Sequence, residues 1–244
     1  MDKINRVAIL GGTHGNEFTG AYLVKKFERF PNIIKRPSFE TIGLLGNPEA
    51  FKAVRRYLDK DLNRCFTRGN LENNQSYSIE DKRAKFINNK LGNKGNPSVD
   101  FLLDLHSTTA NMGLTIILVN NNYFNFKIAA YLSSIWPEIK VYSAVVPGRE
   151  MGFVNSICDR GFAIEVGPIA QGILSGSLFE KTEKLAGEVL DCLEKFNRGE
   201  IGVRSLPLTI YRHLKTVDFP KNERGELDGT IHPQLEGRDY QQLS

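Results

Sequence analysis

One short stretch near the N-terminus constrains this chain most, because it places two glycines, a histidine and a glutamate directly after an apolar run. Residues 6–10 are typical of a buried strand, and Gly11-Gly12-Thr13-His14-Gly15-Asn16-Glu17 follows them. A helix is predicted from about Glu17, so both the His14 and Glu17 side chains can face the strand end. An imidazole and a carboxylate at this spacing supply half of a catalytic zinc site. The spacing alone leaves open a loop histidine followed by a glutamate that the helix dipole favours.

The composition is that of an ordinary globular protein. A chain of 244 residues can form one large domain, or one domain and a smaller one. The 32 basic and 28 acidic side chains give a net charge of +4, too small a surplus to indicate nucleic acid. We expect no membrane partner either, since no apolar run approaches the roughly 20 residues of a membrane helix.

The cysteines and the N-terminus indicate a compartment. Cys65, Cys158 and Cys192 are widely spaced and form no CxxC pair, which favours free thiols in a reducing cytoplasm. No apolar signal segment precedes the first strand. The residues leave open whether the chain forms a homodimer.

Strand and helix patterns alternate along the chain, which predicts an α/β fold with a mostly parallel or mixed sheet. Strands are predicted at residues 6–10, 40–45, 99–106, 114–119, 141–145 and 162–166. Helices are predicted at residues 18–30, 48–55, 79–91, 125–134 and 178–196. Beyond Gly199 the pattern becomes one strand at residues 206–211 and a polar tail. We therefore predict a catalytic domain at residues 1–202 and a partial, β-rich C-terminal domain at residues 203–244.

Side chains that can bind a metal or transfer a proton lie at the ends of three of the predicted strands. His14 follows the first strand, His106 ends the third, and Glu165 lies near the end of the sixth. Open α/β sheets bind ligands at the carboxyl ends of their strands. His14, Glu17 and His106 are therefore predicted to bind a zinc ion through two nitrogens and a carboxylate.

Two further carboxylates support this hypothesis. Asp104 precedes His106 by two residues on the same strand face, where it can orient the ligand imidazole. The alternative is a buried acid satisfied by backbone amides. Glu165 has apolar neighbours, and unpaired burial of a carboxylate is costly. A general base beside a metal-activated water explains Glu165, and a salt-bridged structural glutamate is the alternative.

A charged loop supplies the cations of the predicted site. Arg56 and Arg64 bracket it, and Asn63 adds a neutral donor. A guanidinium binds a carboxylate through two hydrogen bonds, and near a metal it can also stabilise an oxyanion. A solvated surface loop is the alternative, and Asn63 beside Arg64 favours the site.

Taken together, these motifs resemble the aspartoacylase family, which belongs with the zinc carboxypeptidase-like hydrolases and includes the aminoacylase that deacetylates aromatic amino acids. The matching segments keep the family's order and are Gly11-Gly12-Thr13-His14-Gly15-Asn16-Glu17, Arg56-Tyr57, Asp61-Leu62-Asn63-Arg64, Asp104-Leu105-His106-Ser107-Thr108, Asn111-Met112-Gly113, Ile164-Glu165-Val166-Gly167-Pro168, Gln171-Gly172 and Ile231-His232-Pro233. The resemblance implies a three-layer α/β/α, zinc-carboxypeptidase-like domain with one zinc ion per chain. The implied reaction is hydrolysis of a small N-acyl amino acid, N-acetyl-L-aspartate, to acetate and L-aspartate.

The resemblance also implies a role for each site residue. The implied zinc ligands are His14, Glu17 and His106. Glu165 is implied to be the catalytic carboxylate and to contact the substrate, and Arg56 to polarise the scissile carbonyl. Asn63 and Arg64 are implied to hold the carboxylate of the amino-acid part.

Two departures from the family pattern leave other functions open. Human-type members carry a tyrosine and an arginine shortly before the catalytic glutamate, and Met151 and Asn155 stand at those positions here. The substrate could then be that of another aminoacylase, a desuccinylase or a carboxypeptidase, unless Arg149 or Arg160 replaces the missing cation. The family's chains also continue further and supply a substrate-contacting tyrosine. A catalytically impaired zinc- or ligand-binding fragment is the alternative from another class, although pure metal binding needs no Glu165.

Overall fold

The computed structural model describes residues 2–201 and 206–241. Its strands are β1 (Arg6–Gly11), β2 (Glu40–Leu45), β3 (Gly92–Asn93), β4 (Asn96–Pro97), β5 (Phe101–Ser107), β6 (Gly113–Leu118), β7 (Lys140–Ser143), β8 (Gly161–Gly167) and β9 (Tyr211–Arg212). Its helices are α1 (Phe18–Arg29), α2 (Pro48–Lys52), α3 (Arg68–Glu72), α4 (Ile79–Leu91), α5 (Tyr123–Ile135) and α6 (Gly176–Asn197). Each of the six predicted core strands and five predicted helices has a counterpart among these elements.

Seven of the described strands form one sheet in the order β2-β1-β5-β8-β6-β7-β9, and β3 and β4 form a separate hairpin. The first four strands of this order pair in parallel, as do the last three. The two groups meet where β6 pairs antiparallel with β8. The predicted α/β fold with a mixed, mostly parallel sheet is confirmed.

Side chains of alternate residues on β1 enter two separate cores, as the two-residue period of a strand requires. Val7 and Ile9 pack in the core that α1, α5 and α6 share, whereas Ala8 and Leu10 pack in the core under α4. Strands buried on both faces read as continuous apolar runs, which is why the sequence of β1 shows no polar alternation. Helices therefore cover both faces of the sheet, and the three-layer α/β/α architecture is confirmed.

The same alternation on β5 decides where its polar residues point. Leu103 and Leu105 enter the core under α1, whereas Leu102 enters the core under α4. Asp104 and His106 share the face of Leu102, so they point to the α4 side near the carboxyl end of the strand.

Two predicted elements differ in extent from the structure. The helix predicted at residues 48–55 stops at Lys52, because Val54 has a φ of 52° and leaves the helical region. The strand predicted at residues 206–211 is wrong in extent. Only the two residues of β9 form ladder pairs in this region, and they pair with β7. Pro207 lacks the N–H that a ladder needs.

The predicted domain boundary at Gly202 lies outside the described residues, so the division into two domains stays a prediction. In the part of the chain that the structure does describe, none of the helices combines the length and apolar character needed to cross a bilayer.

Candidate active site

The turn after β1 brings His14 and Glu17 to the edge of the sheet. Gly12 has a φ of 69°, a conformation that glycine adopts without the strain of a side chain. The Glu17 N–H donates to the His14 carbonyl oxygen at 3.1 Å, which closes the turn, and α1 begins at Phe18. The Glu17 side chain accepts no hydrogen bond from the first turn of α1, so its carboxylate is not used as a helix cap.

The carboxylate of Glu17 instead joins the two predicted histidine ligands. Its Oε1 lies 2.6 Å from Nδ1 of His14, and its Oε2 lies 2.8 Å from Nδ1 of His106. The backbone N–H of Ser107 also donates to Oε2 at 3.1 Å. Glu17 is 3% exposed, so these contacts are shielded from water.

A second pair of carboxylates contacts the opposite nitrogens of the two imidazoles. Nε2 of His14 lies 2.9 Å from Asp61 Oδ1, and Nε2 of His106 lies 2.6 Å from Asp104 Oδ2. The hydroxyl of Thr13 donates to the other oxygen of Asp104 at 2.8 Å. Both rings are therefore held with Nδ1 turned toward Glu17.

This arrangement fits a divalent metal ion such as zinc. One donor atom each from His14, Glu17 and His106 lies within 4.8 Å of the others. Two imidazole nitrogens and one carboxylate form a donor set that catalytic zinc sites use. Histidines that bind metals almost always give their other nitrogen to a carboxylate, a carbonyl or water, as Asp61 and Asp104 provide here.

Electrostatics also suit a cation at this position. Burial raises the pKa of Glu17, but His106 and His14 outweigh that effect and hold the pKa well below its ordinary range. Burial lowers the pKa of His106, but Asp104 and Glu17 outweigh it and raise the pKa. In the cluster of His14, Glu17 and His106, the buried carboxylate of Glu17 is therefore held ionised between two imidazoles, which is a favourable environment for positive charge.

Glu165 lies beside this cluster because of the strand order. It pairs with His106 across the parallel β5–β8 ladder, so the two side chains share one face of the sheet. Burial raises the pKa of Glu165 to about 7, with further contributions from Glu17 and Asp104 and an opposing one from His106. A carboxyl group with a pKa near neutrality can both accept and release a proton.

Arg56 reaches the cluster from the charged loop. Its two terminal nitrogens lie 3.3 Å from Glu17 Oε1 and 3.3 Å from Asp61 Oδ2. The side chain remains 45% exposed, so one side of the guanidinium is open to an incoming ligand. The motif that contains Asp61 predicts no role for this residue, whereas the structure shows its carboxylate bridging Arg56 and His14.

Asn63 and Arg64 leave the same loop in different directions. The Asn63 amide is buried, with Oδ1 accepting from the Val154 N–H at 2.9 Å and Nδ2 lying 3.2 Å from Nε2 of His106. The Arg64 guanidinium donates to the Asn63 carbonyl and stacks 5.0 Å from the centre of the Phe153 ring. Asn63 thus contacts the cluster, whereas Arg64 faces a neighbouring cavity.

That cavity has a volume of about 500 Å³ and lies between the sheet and the loop before β8. Its apolar lining consists of Ile117, Ala144, Val146, Met151, Gly152 and Phe153, and its polar lining of Arg64, Thr67, Tyr142, Arg149, Glu150, His213 and Thr216. Volumes of this size are typical of small-molecule sites. Met151 thus lines the cavity, whereas Asn155 is not among its lining residues.

Glu80, a residue that sequence reasoning did not single out, holds the charged loop in place. This fully buried carboxylate accepts backbone N–H groups of Leu58, Asp59 and Lys60 at 2.8–3.2 Å and the side-chain amide of Asn47 at 3.1 Å. Burial raises the pKa of Glu80, but these hydrogen bonds outweigh it and lower the pKa. Arg56 and Asp61 flank the three clamped residues, so their positions depend on this carboxylate.

We expect Glu80→Gln to lower the free energy of unfolding by about 1–3 kcal/mol, because the amide turns donors toward buried backbone N–H groups. Urea unfolding at neutral pH measures the loss. The contribution of Glu80 should persist above the ordinary glutamate pKa and disappear as pH falls through the lowered pKa. Glu72→Gln makes the same change on an exposed residue. Equal unfolding energies for the two variants would contradict the clamp.

Comparisons with known proteins agree with this geometry. Residues 3–193 match the profile described as succinylglutamate desuccinylase/aspartoacylase catalytic domain. A protein of Trichodesmium erythraeum named probable aspartoacylase is 62% identical over 244 residues, which is 100% of this chain and 83% of that protein. The Mus musculus N-acyl-aromatic-L-amino acid amidohydrolase (carboxylate-forming) is 41% identical, covering 99% of this chain and 77% of that protein.

Solved structures give the same result. The crystal structure of murine aminoacylase 3 superposes with a TM-score of 0.92 at 40% identity, covering 99% of this chain and 81% of that chain. Succinylglutamate desuccinylase from Chromobacterium violaceum, at 15% identity and a TM-score of 0.63, shares the fold. This chain therefore belongs to the succinylglutamate desuccinylase/aspartoacylase family and is a hydrolytic enzyme.

Proposed function

We propose that this enzyme is a zinc-dependent amidohydrolase that cleaves N-acetyl-L-aspartate to acetate and L-aspartate. The observation that carries the proposal is the contact of Glu17 with Nδ1 of both His14 and His106, with Glu165 in register beside them. The 62% identical relative named probable aspartoacylase supports the choice of substrate.

His14, Glu17 and His106 would hold the zinc ion, which supplies Lewis-acid activation of a carbonyl and of water. Asp61 and Asp104 hold the two imidazoles with Nδ1 facing Glu17. In this role they set the orientation of the rings and increase their basicity as ligands.

Glu165 moves the proton of the reaction. Its carboxylate accepts a proton from the attacking water, and the carboxylic acid then gives it to the nitrogen of the leaving amine. A raised pKa, to about 7, suits both steps because it lies near the working pH of most enzymes. The C–N bond breaks as acetate and the free amine form.

The arginines bind and polarise the substrate. Arg56 lies against Glu17 and stabilises negative charge that develops on the scissile carbonyl oxygen. Arg64 binds the α-carboxylate, which a guanidinium can grip through two hydrogen bonds. Both ends of the Asn63 amide already contact protein atoms, so its direct contact with substrate remains a prediction.

Release of acetate from N-acetyl-L-aspartate by zinc-loaded enzyme tests the proposal, with protein stripped of metal by a chelator as the control. Turnover that depends on zinc is the expected result. Zinc-loaded enzyme that hydrolyses no N-acyl amino acid in a panel of acidic, aromatic and aliphatic compounds would refute it.

A second candidate substrate class is N-acetyl amino acids with aromatic side chains. The apolar cavity wall formed by Met151 and Phe153 favours it, and so does the 41% identity to the mouse enzyme named for such substrates. N-acetyl-L-tyrosine in the same assay separates the two, since the higher kcat/KM identifies the better substrate.

Conservative changes at the two arginines should separate their roles. We expect Arg64→Lys to raise KM about tenfold, because lysine keeps the charge but loses the two-pronged geometry. Arg56→Lys should lower kcat, because its contact strengthens as charge develops in the transition state. Steady-state kinetics measure both effects, with the exposed Arg55→Lys as a matched control. The reverse pattern would mean that the two roles are exchanged.

A further inference from the structure

We propose that Arg149 binds a second substrate carboxylate, so that this enzyme prefers N-acyl amino acids with an acidic side chain. The inference rests on the proposed function and deepens it by naming the residue that would select the aspartate part. It comes from the position and charge of the cavity that Arg64 and Arg149 share.

The cavity lies on the sheet face that carries Glu165. Ile117 in the cavity wall pairs with Ala163, two residues before Glu165 on β8, and Tyr142 pairs with Ile117 on the next strand. Side chains of paired residues share a face, and two residues along a strand span about 7 Å. A substrate with its scissile bond at Glu165 can therefore extend its amino-acid part into this cavity.

The charges of the cavity favour a dianion. Among residues 2–201 and 206–241, neither Arg64 nor Arg149 has a carboxylate oxygen within ion-pair distance. The acid in the lining, Glu150, is already paired: Lys94 lies 3.0 Å from it, and the Arg68 N–H donates to it at 3.0 Å. Two guanidinium groups thus line one small-molecule-sized cavity, and the carboxylate in its lining pairs with Lys94 and Arg68 rather than with either of them.

Other candidates for the second contact lie elsewhere. Arg160 donates to the Asp2 carbonyl oxygen at 3.0 Å and stacks over the Phe124 ring, away from the cavity. Asn155 is 1% exposed and sits within the short 3₁₀ turn Val154–Ser156. Arg149, by contrast, is exposed and lines the cavity wall.

The need for two cations follows from the substrate. N-acyl aspartate carries two carboxylates, and Arg64 can grip one of them bidentately. Placing the other in the cavity without a partner would cost the desolvation of a charge. Arg149 removes that cost for an acidic side chain and gives no such advantage to a neutral one.

The test compares N-acetyl-L-aspartate with its neutral isostere N-acetyl-L-asparagine in wild type, Arg149→Gln and Arg160→Gln. Wild type should favour the aspartate compound in kcat/KM. Arg149→Gln should lower that preference about tenfold or more, mainly through KM. Arg160→Gln removes the same charge from a residue outside the cavity and should leave the preference unchanged.

Calorimetric binding of L-aspartate and L-asparagine gives a readout that needs no turnover. A selective loss of L-aspartate affinity in Arg149→Gln supports the inference even if no N-acyl amino acid is hydrolysed, which would refute only the proposed function. Turnover with a preference that Arg149→Gln leaves unchanged overturns the inference alone. An equal loss in Arg160→Gln also overturns it, since net charge would then explain the effect.

Discussion

Glu165→Gln should lower kcat by about 10²–10⁴-fold, the usual contribution of a general acid–base group. The amide is nearly isosteric with the carboxyl group but cannot take the proton of the attacking water. Zinc content should remain that of wild type, because Glu165 is not one of the three clustered ligands. Stopped-time assays of acetate release, together with elemental analysis of zinc, measure the two quantities on the same preparation.

Two further variants sharpen this prediction. Glu165→Asp keeps the carboxylate but withdraws it by one methylene, so it should retain more activity than Glu165→Gln. Glu180→Gln makes the same chemical change on an exposed helical residue and should match wild type. A kcat of Glu165→Gln within about threefold of wild type would remove Glu165 from its role, since that is less than 1 kcal/mol of barrier.

Strand positions were predictable because the sheet is covered on both faces. Residues 99–106 and 162–166 are nearly continuous apolar runs, and both became strands in the centre of the sheet. A buried parallel strand leaves that pattern. Helix ends were also predictable where a cap is visible: the Ser78 hydroxyl accepts the Asp81 N–H, and Gly92 ends α4 at a φ of 84°.

The order of the strands in the sheet cannot be predicted from such hydrophobic patterns. β8 inserts between β5 and β6, and this order sets Glu165 beside His106, although 58 residues separate them in the chain. Hydrophobic periodicity reports which face of a strand is buried, but not which strand is its neighbour. The prediction that these residues meet therefore depended on the general rule for strand ends and on family resemblance.

The roles of Asp61 and Glu80 could not be predicted from the sequence for a related reason. Each is an acid in a setting where a solvent-exposed acid is ordinary, a charged loop for Asp61 and the first turn of α4 for Glu80. Only the structure shows that Asp61 contacts His14 and that Glu80 is fully buried. Arg149 and Arg160 likewise precede one strand in sequence, yet only Arg149 lines the cavity.

His14→Ala and His106→Ala should each lose zinc and activity together, because each removes one of three protein ligands. Wild type should carry about one zinc per chain. Either variant should bind far less after dialysis against buffer with a weak chelator, as elemental analysis would show. His232→Ala is the matched control, since this exposed histidine of the C-terminal segment lies outside the cluster. Stoichiometric zinc in both ligand variants would refute the assignment.

The outer carboxylates should give a smaller effect of the same kind. Asp61→Asn and Asp104→Asn keep the size of the side chain but weaken the hold on Nε2 of His14 and His106. Loss of such partners typically costs about 10–100-fold in metal affinity or activity. Zinc should also raise the unfolding temperature of wild type, since a ligand that binds the folded state stabilises it. That rise should be largest in wild type, smaller in the aspartate variants and absent in His106→Ala. An equal rise in all of them would mean that zinc binds outside the cluster.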